Sequence, residues 1–148
     1  MRLRVLIFLF ALPALACENS LSPEAIAGTY VLRRVDGDPL PAILYVSDHS
    51  RVRVLSDTMV FRADGQGTRA TLLEIEPLNS ERPNEPSATG TTFSFRIVGT
   101  SIEVAFYCPP DANCVAPPHL VLRRTDGGLI AVSALSARTP LAYEQTAR

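Results

Sequence analysis

The chain has 148 residues, a formal net charge of −1, no tryptophan, and arginine at all 14 of its basic positions. A weakly acidic chain of this kind lacks the basic, aromatic-studded face that phosphate backbones require, so nucleic-acid binding is excluded as a leading function. Its length suits one hydrophobic core rather than two. The first 16 residues, MRLRVLIFLFALPALA, stand apart from the rest. Arg2 and Arg4 form a positive start, Val5 to Leu12 form an apolar run of eight, and Pro13 breaks any helix before the small residues Ala14 and Ala16. That is the layout of a secretory signal, too short to span a bilayer. Removing it leaves 148 − 16 = 132 residues, with 12 arginines against 15 acidic residues, a net charge of −3.

The residue after the cut is Cys17. Ala14-Leu15-Ala16-Cys17 resembles the bacterial lipobox, whose cysteine takes a diacylglycerol thioether and an N-terminal acyl chain. Ordinary cleavage at the Ala14-x-Ala16 site would cut the same bond and leave Cys17 unmodified. The layout favours lipidation, hence a membrane partner through an N-terminal lipid anchor, held by about 0.8 kcal/mol per buried methylene. Glu18 after the cysteine resembles the default address of the outer membrane, facing the periplasm. An unlipidated Cys17 implies a soluble periplasmic or secreted protein instead. Residues 17–27 are then the anchor, a short polar tether and one helical turn, and residues 28–148 the folded domain.

Ser22-Pro23-Glu24-Ala25-Ile26-Ala27-Gly28 carries a serine cap, a proline at the first helical position and a glycine stop, which predicts a single helical turn. Thr29 to Val35 reads as a strand ending at Asp36-Gly37, and Ile43 to Val46 as a short one between prolines. Arg51 to Arg62 closes at Asp64-Gly65, a strong hairpin signal, and Thr68 to Glu76 follows. Pro77 to Gly90 is polar, holds Pro77, Pro83 and Pro86, and is expected to be the longest loop. The clearest alternation comes next: Phe93, Phe95 and Ile97 share one face, and Ile102, Val104 and Phe106 another. Leu120 to Arg124, Leu129 to Ser133 and Leu141 to Thr146 complete eight or nine short strands with almost no helix. An all-β, antiparallel up-and-down barrel or sandwich is the expected fold.

Cys108 and Cys114 flank Pro-Pro-Asp-Ala-Asn, a surface-loop composition. In an oxidising envelope they are expected to form a disulfide, with Cys17 accounting for the odd count. No further ligand stands at metal-site spacing, and no metal or other cofactor is expected.

Gly28-Thr29-Tyr30-Val31-Leu32-Arg33-Arg34-Val35-Asp36-Gly37-Asp38-Pro39-Leu40-Pro41, together with Phe61-Arg62-Ala63-Asp64-Gly65, resembles the small bacterial lipocalin-like lipoproteins. Gly28-x-Tyr30 is similar to the lipocalin Gly-x-Trp start, with tyrosine in place of the ring that plugs one barrel end. The resemblance implies a lipocalin-like barrel of about eight strands and a site for a small apolar ligand. The inward-facing candidates for that site are Tyr30, Leu32, Met59, Phe61, Phe93, Phe95, Ile97, Ile102, Val104 and Phe106. Aromatic stripes at period two are also ordinary core, and their size favours a filled interior.

Other features have bland readings. Val31-Leu32-Arg33-Arg34-Val35-Asp36-Gly37 recurs as Val121-Leu122-Arg123-Arg124-Thr125-Asp126-Gly127, which reads as two strand ends entering turns rather than an anion clamp. His49 and His119 have no helical partner, and no nucleophile motif is present, so no catalytic residue is assigned and the chain is read as a non-enzyme. Two function classes follow: an anchored envelope module holding a small apolar molecule, or a structural or protein-interaction module with a filled barrel. An internal cavity of roughly 300 Å³ or more with an open mouth would favour the first.

Overall fold

The computed structural model describes residues 21–79, 83–107, 119–133 and 140–146. Among them are one helical turn, α1 (Pro23–Ile26), and ten strands: β1 (Gly28–Val35), β2 (Asp38–Pro39), β3 (Ala42–Val46), β4 (Ser50–Phe61), β5 (Gln66–Pro77), β6 (Glu85–Val98), β7 (Ser101–Phe106), β8 (His119–Thr125), β9 (Gly128–Ser133) and β10 (Leu141–Gln145). From β4 to β10 each strand pairs antiparallel with the next, β10 pairs with β1, and β1 pairs with β4. That last pairing closes an eight-stranded up-and-down barrel, which removes the free edges an open sheet would expose. The chain is an all-β barrel with one short N-terminal helical turn.

The closing seam is partial. Gly28–Val31 pair with Phe61–Thr58, but beyond Val31 the two strands part. The upper half of β1 then pairs with β2, through Arg34 and Val35, and the lower-numbered half of β4 pairs with β3 along Val46–Ala42. Strands β2 and β3 therefore lie outside the ring of eight and flank a fork in the barrel wall. The short β2 has no hydrophobic pattern of its own, so the Asp36-Gly37 turn alone signals it. Asp36 and Gly37 both take positive φ, 53° and 88°, and the Asp36 amide is pinned to the Pro140 carbonyl.

The barrel interior follows the period-two pattern. Inward residues of β1, β4, β6, β7, β8 and β10 form one buried cluster, while cross-strand pairs such as Arg96–Glu103 and Arg53–Glu74 lie outside. These partly or wholly exposed ion pairs contribute little to stability. One end is filled by rings. Phe61 lies 5.1 Å from both Phe93 and Phe95 and 5.5 Å from Tyr30, centroid to centroid, in edge or tilted geometry. Ile26 of α1 is fully buried, and the Tyr30 hydroxyl donates to the Ile26 carbonyl at 3.0 Å, so the helical turn caps this end. Gly67, opposite Phe93, leaves the space the Phe93 ring occupies: a Cβ there would sit 2.2 Å from the ring.

The expected loop from Pro77 to Gly90 is corrected. Glu85–Gly90 are strand, paired with Ile75–Ala70 of β5, and the connection shrinks to residues 78–84. The stretch reads as loop because it runs past the end of β7, whose last rung on β6 is Phe93–Phe106, and so has no regularly buried face. Its residues are mostly exposed, which permits polar side chains on both faces and a proline at position 86. Strands β4, β5 and β6 are accordingly 12, 12 and 14 residues long, not short, and Glu85–Thr92 of β6 extend past its last rung with β7.

Candidate functional site

The site begins with a break in phase along β4. Val52 and Val54 point inward, and so do Asp57, Met59 and Phe61, which requires one extra residue between the two sets. The register against β5 supplies it: Val54 pairs with Leu73 and Ser56 with Leu72, leaving Leu55 as a bulge. Without the bulge Asp57 would face solvent; with it, the carboxylate is turned into the barrel and is 1% exposed. Asp57 lies one residue beyond the last β1–β4 rung, at the fork.

Arg69 answers that buried charge. It lies on the inward face of β5, diagonal to Asp57, since Asp57 pairs with Thr71 and Met59 with Arg69. Its Nε donates to both Asp57 oxygens at 3.0 Å, and its Nη2 donates to Oδ2. From β10, across the lumen, the Tyr143 hydroxyl donates to Asp57 Oδ2 at 3.0 Å, and Arg69 Nη2 approaches that hydroxyl at 3.5 Å. The guanidinium also lies 5.5 Å from the Phe106 ring centre, within cation–π range. Burial alone would pull the Arg69 pKa down, but its contacts with Asp57 outweigh that and hold it above the ordinary value. Burial pushes the Tyr143 phenol upward; Arg69 opposes this and Asp57 reinforces it.

Beside this trio lies a partly open cavity of about 240 Å³. Leu32, Leu44, Val54, Leu73 and Leu141 make its apolar walls, Thr71 and Thr89 add two hydroxyls, and Asp57 and Arg69 add the charged pair. Leu32, Val54 and Leu44 come from the strands at the fork, where β1 and β4 part and β3 pairs with β4. It is a half-open apolar pocket with a compensated ion pair in its lining. Comparison with protein-family models, curated proteins and solved structures returned no match. The geometry therefore carries the functional argument alone.

Of the ten residues expected to face a ligand, Leu32 lines this cavity. Tyr30, Met59, Phe61, Phe93, Phe95, Ile102, Val104 and Phe106 are buried in the packed cluster, and Ile97 is half-buried against it. All ten are buried or half-buried, and of them Leu32 alone is in the lining of this cavity. The two Val-Leu-Arg-Arg runs end β1 and β8 at their turns, their arginines are exposed, and β9 and β10 stand between the two strands. Arg33 is matched with Glu144 at 3.2 Å. His49 lies exposed in the β3–β4 turn and His119 exposed at the start of β8. Cys17, Cys108 and Cys114 lie outside the described residues.

The polar trio is invisible to motif reading because each member comes from a different strand at an unremarkable position. It also makes a specific pH prediction. An unfolded phenol ionises near pH 10, whereas folded Tyr143 stays protonated beyond it. Above about pH 10 the unfolded state therefore binds fewer protons than the folded one at this position, and stability falls as pH rises. Phenolate absorbance should show Tyr143 ionising only as the barrel unfolds. Tyr143→Phe should flatten that alkaline loss. Ionisation of Tyr143 near pH 10 in the still-folded protein would contradict the buried placement.

Proposed function

We propose that this chain is a lipocalin-like, lipid-anchored envelope protein that binds a small, largely apolar molecule in the pocket at the β1–β4 fork. One observation carries the binding reading: the barrel is filled at the helical-turn end yet keeps a half-open apolar cavity of about 240 Å³ beside a buried ion pair. That volume falls short of the roughly 300 Å³ set above for the binding class, the size at which drug-sized sites begin. It exceeds the roughly 150 Å³ that suffices for a benzene-sized guest. The ligand is therefore small. Asp57 is engaged by both Arg69 and Tyr143, which leaves it poorly placed to act as a general base, so the reading is one of binding without catalysis.

The anchor at Cys17, the outer-membrane address and the Cys108–Cys114 disulfide rest on the leader and on residue spacing. Fatty-acid metabolic labelling of wild type and Cys17→Ser tests the anchor: label on the first and none on the second is expected. An unlabelled wild type would leave a soluble envelope or secreted protein. Native mass spectrometry of the purified protein, with and without organic extraction, tests the cargo. A second reading, a structural or protein-interaction module, draws on the exposed Ile43, Tyr45 and Val46 of strand β3, which has no partner on its outer edge among the described residues. A protein that carries nothing and takes up no small amphiphile favours that second reading.

A further inference from the structure

We infer that the fork pocket selects ligands with an uncharged hydrogen-bond acceptor, such as an amide or ester carbonyl, on a short apolar body; this rests on the binding reading above. The argument starts from Arg69. Its Nε and Nη2 are committed to Asp57 and Tyr143, but Nη1 donates to no atom among the described residues. The side chain keeps 23% of its surface exposed, and it lines the cavity. Two N–H bonds are thus free in a mostly apolar surround. A wholly apolar guest would strip water from them and return nothing, a cost that an acceptor oxygen removes.

The charge of the site decides what kind of acceptor. Asp57 and Arg69 are the two charged residues in the lining, one of each sign, so the pocket is neutral before anything enters. A carboxylate guest would have to share one guanidinium with Asp57 and sit beside its negative charge, with no second cation to offset desolvation. An ammonium guest meets the opposite problem, because both Asp57 oxygens already accept hydrogen bonds and the guanidinium repels it. A neutral carbonyl takes the free donors without adding charge. The leucine and valine walls then hold the rest of the molecule, and the volume limits that rest to a short chain or one ring.

The test uses one apolar body with different heads: hexanamide, hexanoate, hexylammonium and n-pentane, titrated into the purified protein near neutral pH, where hexanoate and hexylammonium are fully charged. Binding is read by backbone and Arg69 side-chain NMR shifts, on unmodified protein, so no variant need survive folding. Hexanamide is expected to bind about tenfold or more tightly than each of the other three, the fold-change of a hydrogen bond to a charged donor. The Arg69 guanidinium resonances should move with hexanamide and stay still with pentane. Tighter binding of hexanoate or hexylammonium, or equal binding of pentane, would overturn the neutral-acceptor inference while leaving the pocket as a binding site. Failure of all four to bind would overturn the binding reading itself, and the inference with it.

Discussion

Asp57→Ala is expected to lower the free energy of unfolding by about 3–5 kcal/mol, because it leaves the Arg69 guanidinium in the barrel without its carboxylate. The loss belongs mainly to the orphaned charge, since the intact pair does little more than offset its own desolvation. Replacing both members by apolar residues of similar size, Asp57→Leu with Arg69→Met, should therefore recover most of what the single change loses. Urea denaturation of wild type, both single variants and the double variant measures this as a cycle. Asp57 is 1% exposed and the Arg69 side chain 23%. If Asp57→Ala costs less than about 1 kcal/mol, the guanidinium finds water through the pocket mouth and the charge is not trapped as argued.

Phe61→Ala should cost about 3–5 kcal/mol by removing a large buried ring and leaving a cavity. Three rings lean on Phe61, those of Tyr30, Phe93 and Phe95. It also forms the rung of the β1–β4 seam opposite Gly28. The defect should thus spread to the seam and to α1, whose Ile26 packs in the same cluster. Amide hydrogen exchange should show lost protection at Gly28–Val31 well before the β8–β9 hairpin is affected. Phe95→Ala, at a position already 8% exposed, should cost less. Equal losses at the two positions would mean that the rings pack independently and that Phe61 is not the keystone of this end.

Much of the barrel can be read from the residues alone. The alternation of Phe93, Phe95 and Ile97 against Ile102, Val104 and Phe106, and the Asp64-Gly65 turn, place β4, β5, β7 and the second half of β6 within a few residues of where they lie, because one face of each is core and the other is water. The failures occur where that contrast disappears. Glu85–Gly90 have no regularly buried face, so their strand is silent. Asp38–Pro39 form a strand too short to show any period. The site was hidden for a related reason. Inward positions on β4 are even-numbered as far as Val54 and odd-numbered from Asp57 to Phe61, and that change of parity is the only trace of the bulge. Taken seriously, it puts one aspartate in phase with Met59 and Phe61, and a buried carboxylate requires a cation. Arg69, in phase with Gly67, Thr71 and Leu73, is the candidate on the next strand. The doubled arginines at 33–34 and 123–124 draw the eye instead, and they are solvated.

The placement of the helical turn and the fork at different ends of β1 has a bearing on how cargo could be exchanged. Gly28 follows the turn directly, and the seam gives way by Leu32, four residues or roughly 13 Å further along the strand. Under the anchoring proposed at Cys17, the folded domain would hang on a tether of about five residues, no longer than roughly 17 Å. On that proposal the plugged end would be the one kept near the bilayer, and the pocket would look into the aqueous compartment. Cargo would arrive and leave through water rather than by sliding out of the lipid leaflet. Molecules that dissolve long enough to make that crossing are short and carry a polar head, whereas long-chain lipids would remain in the membrane out of the pocket's reach.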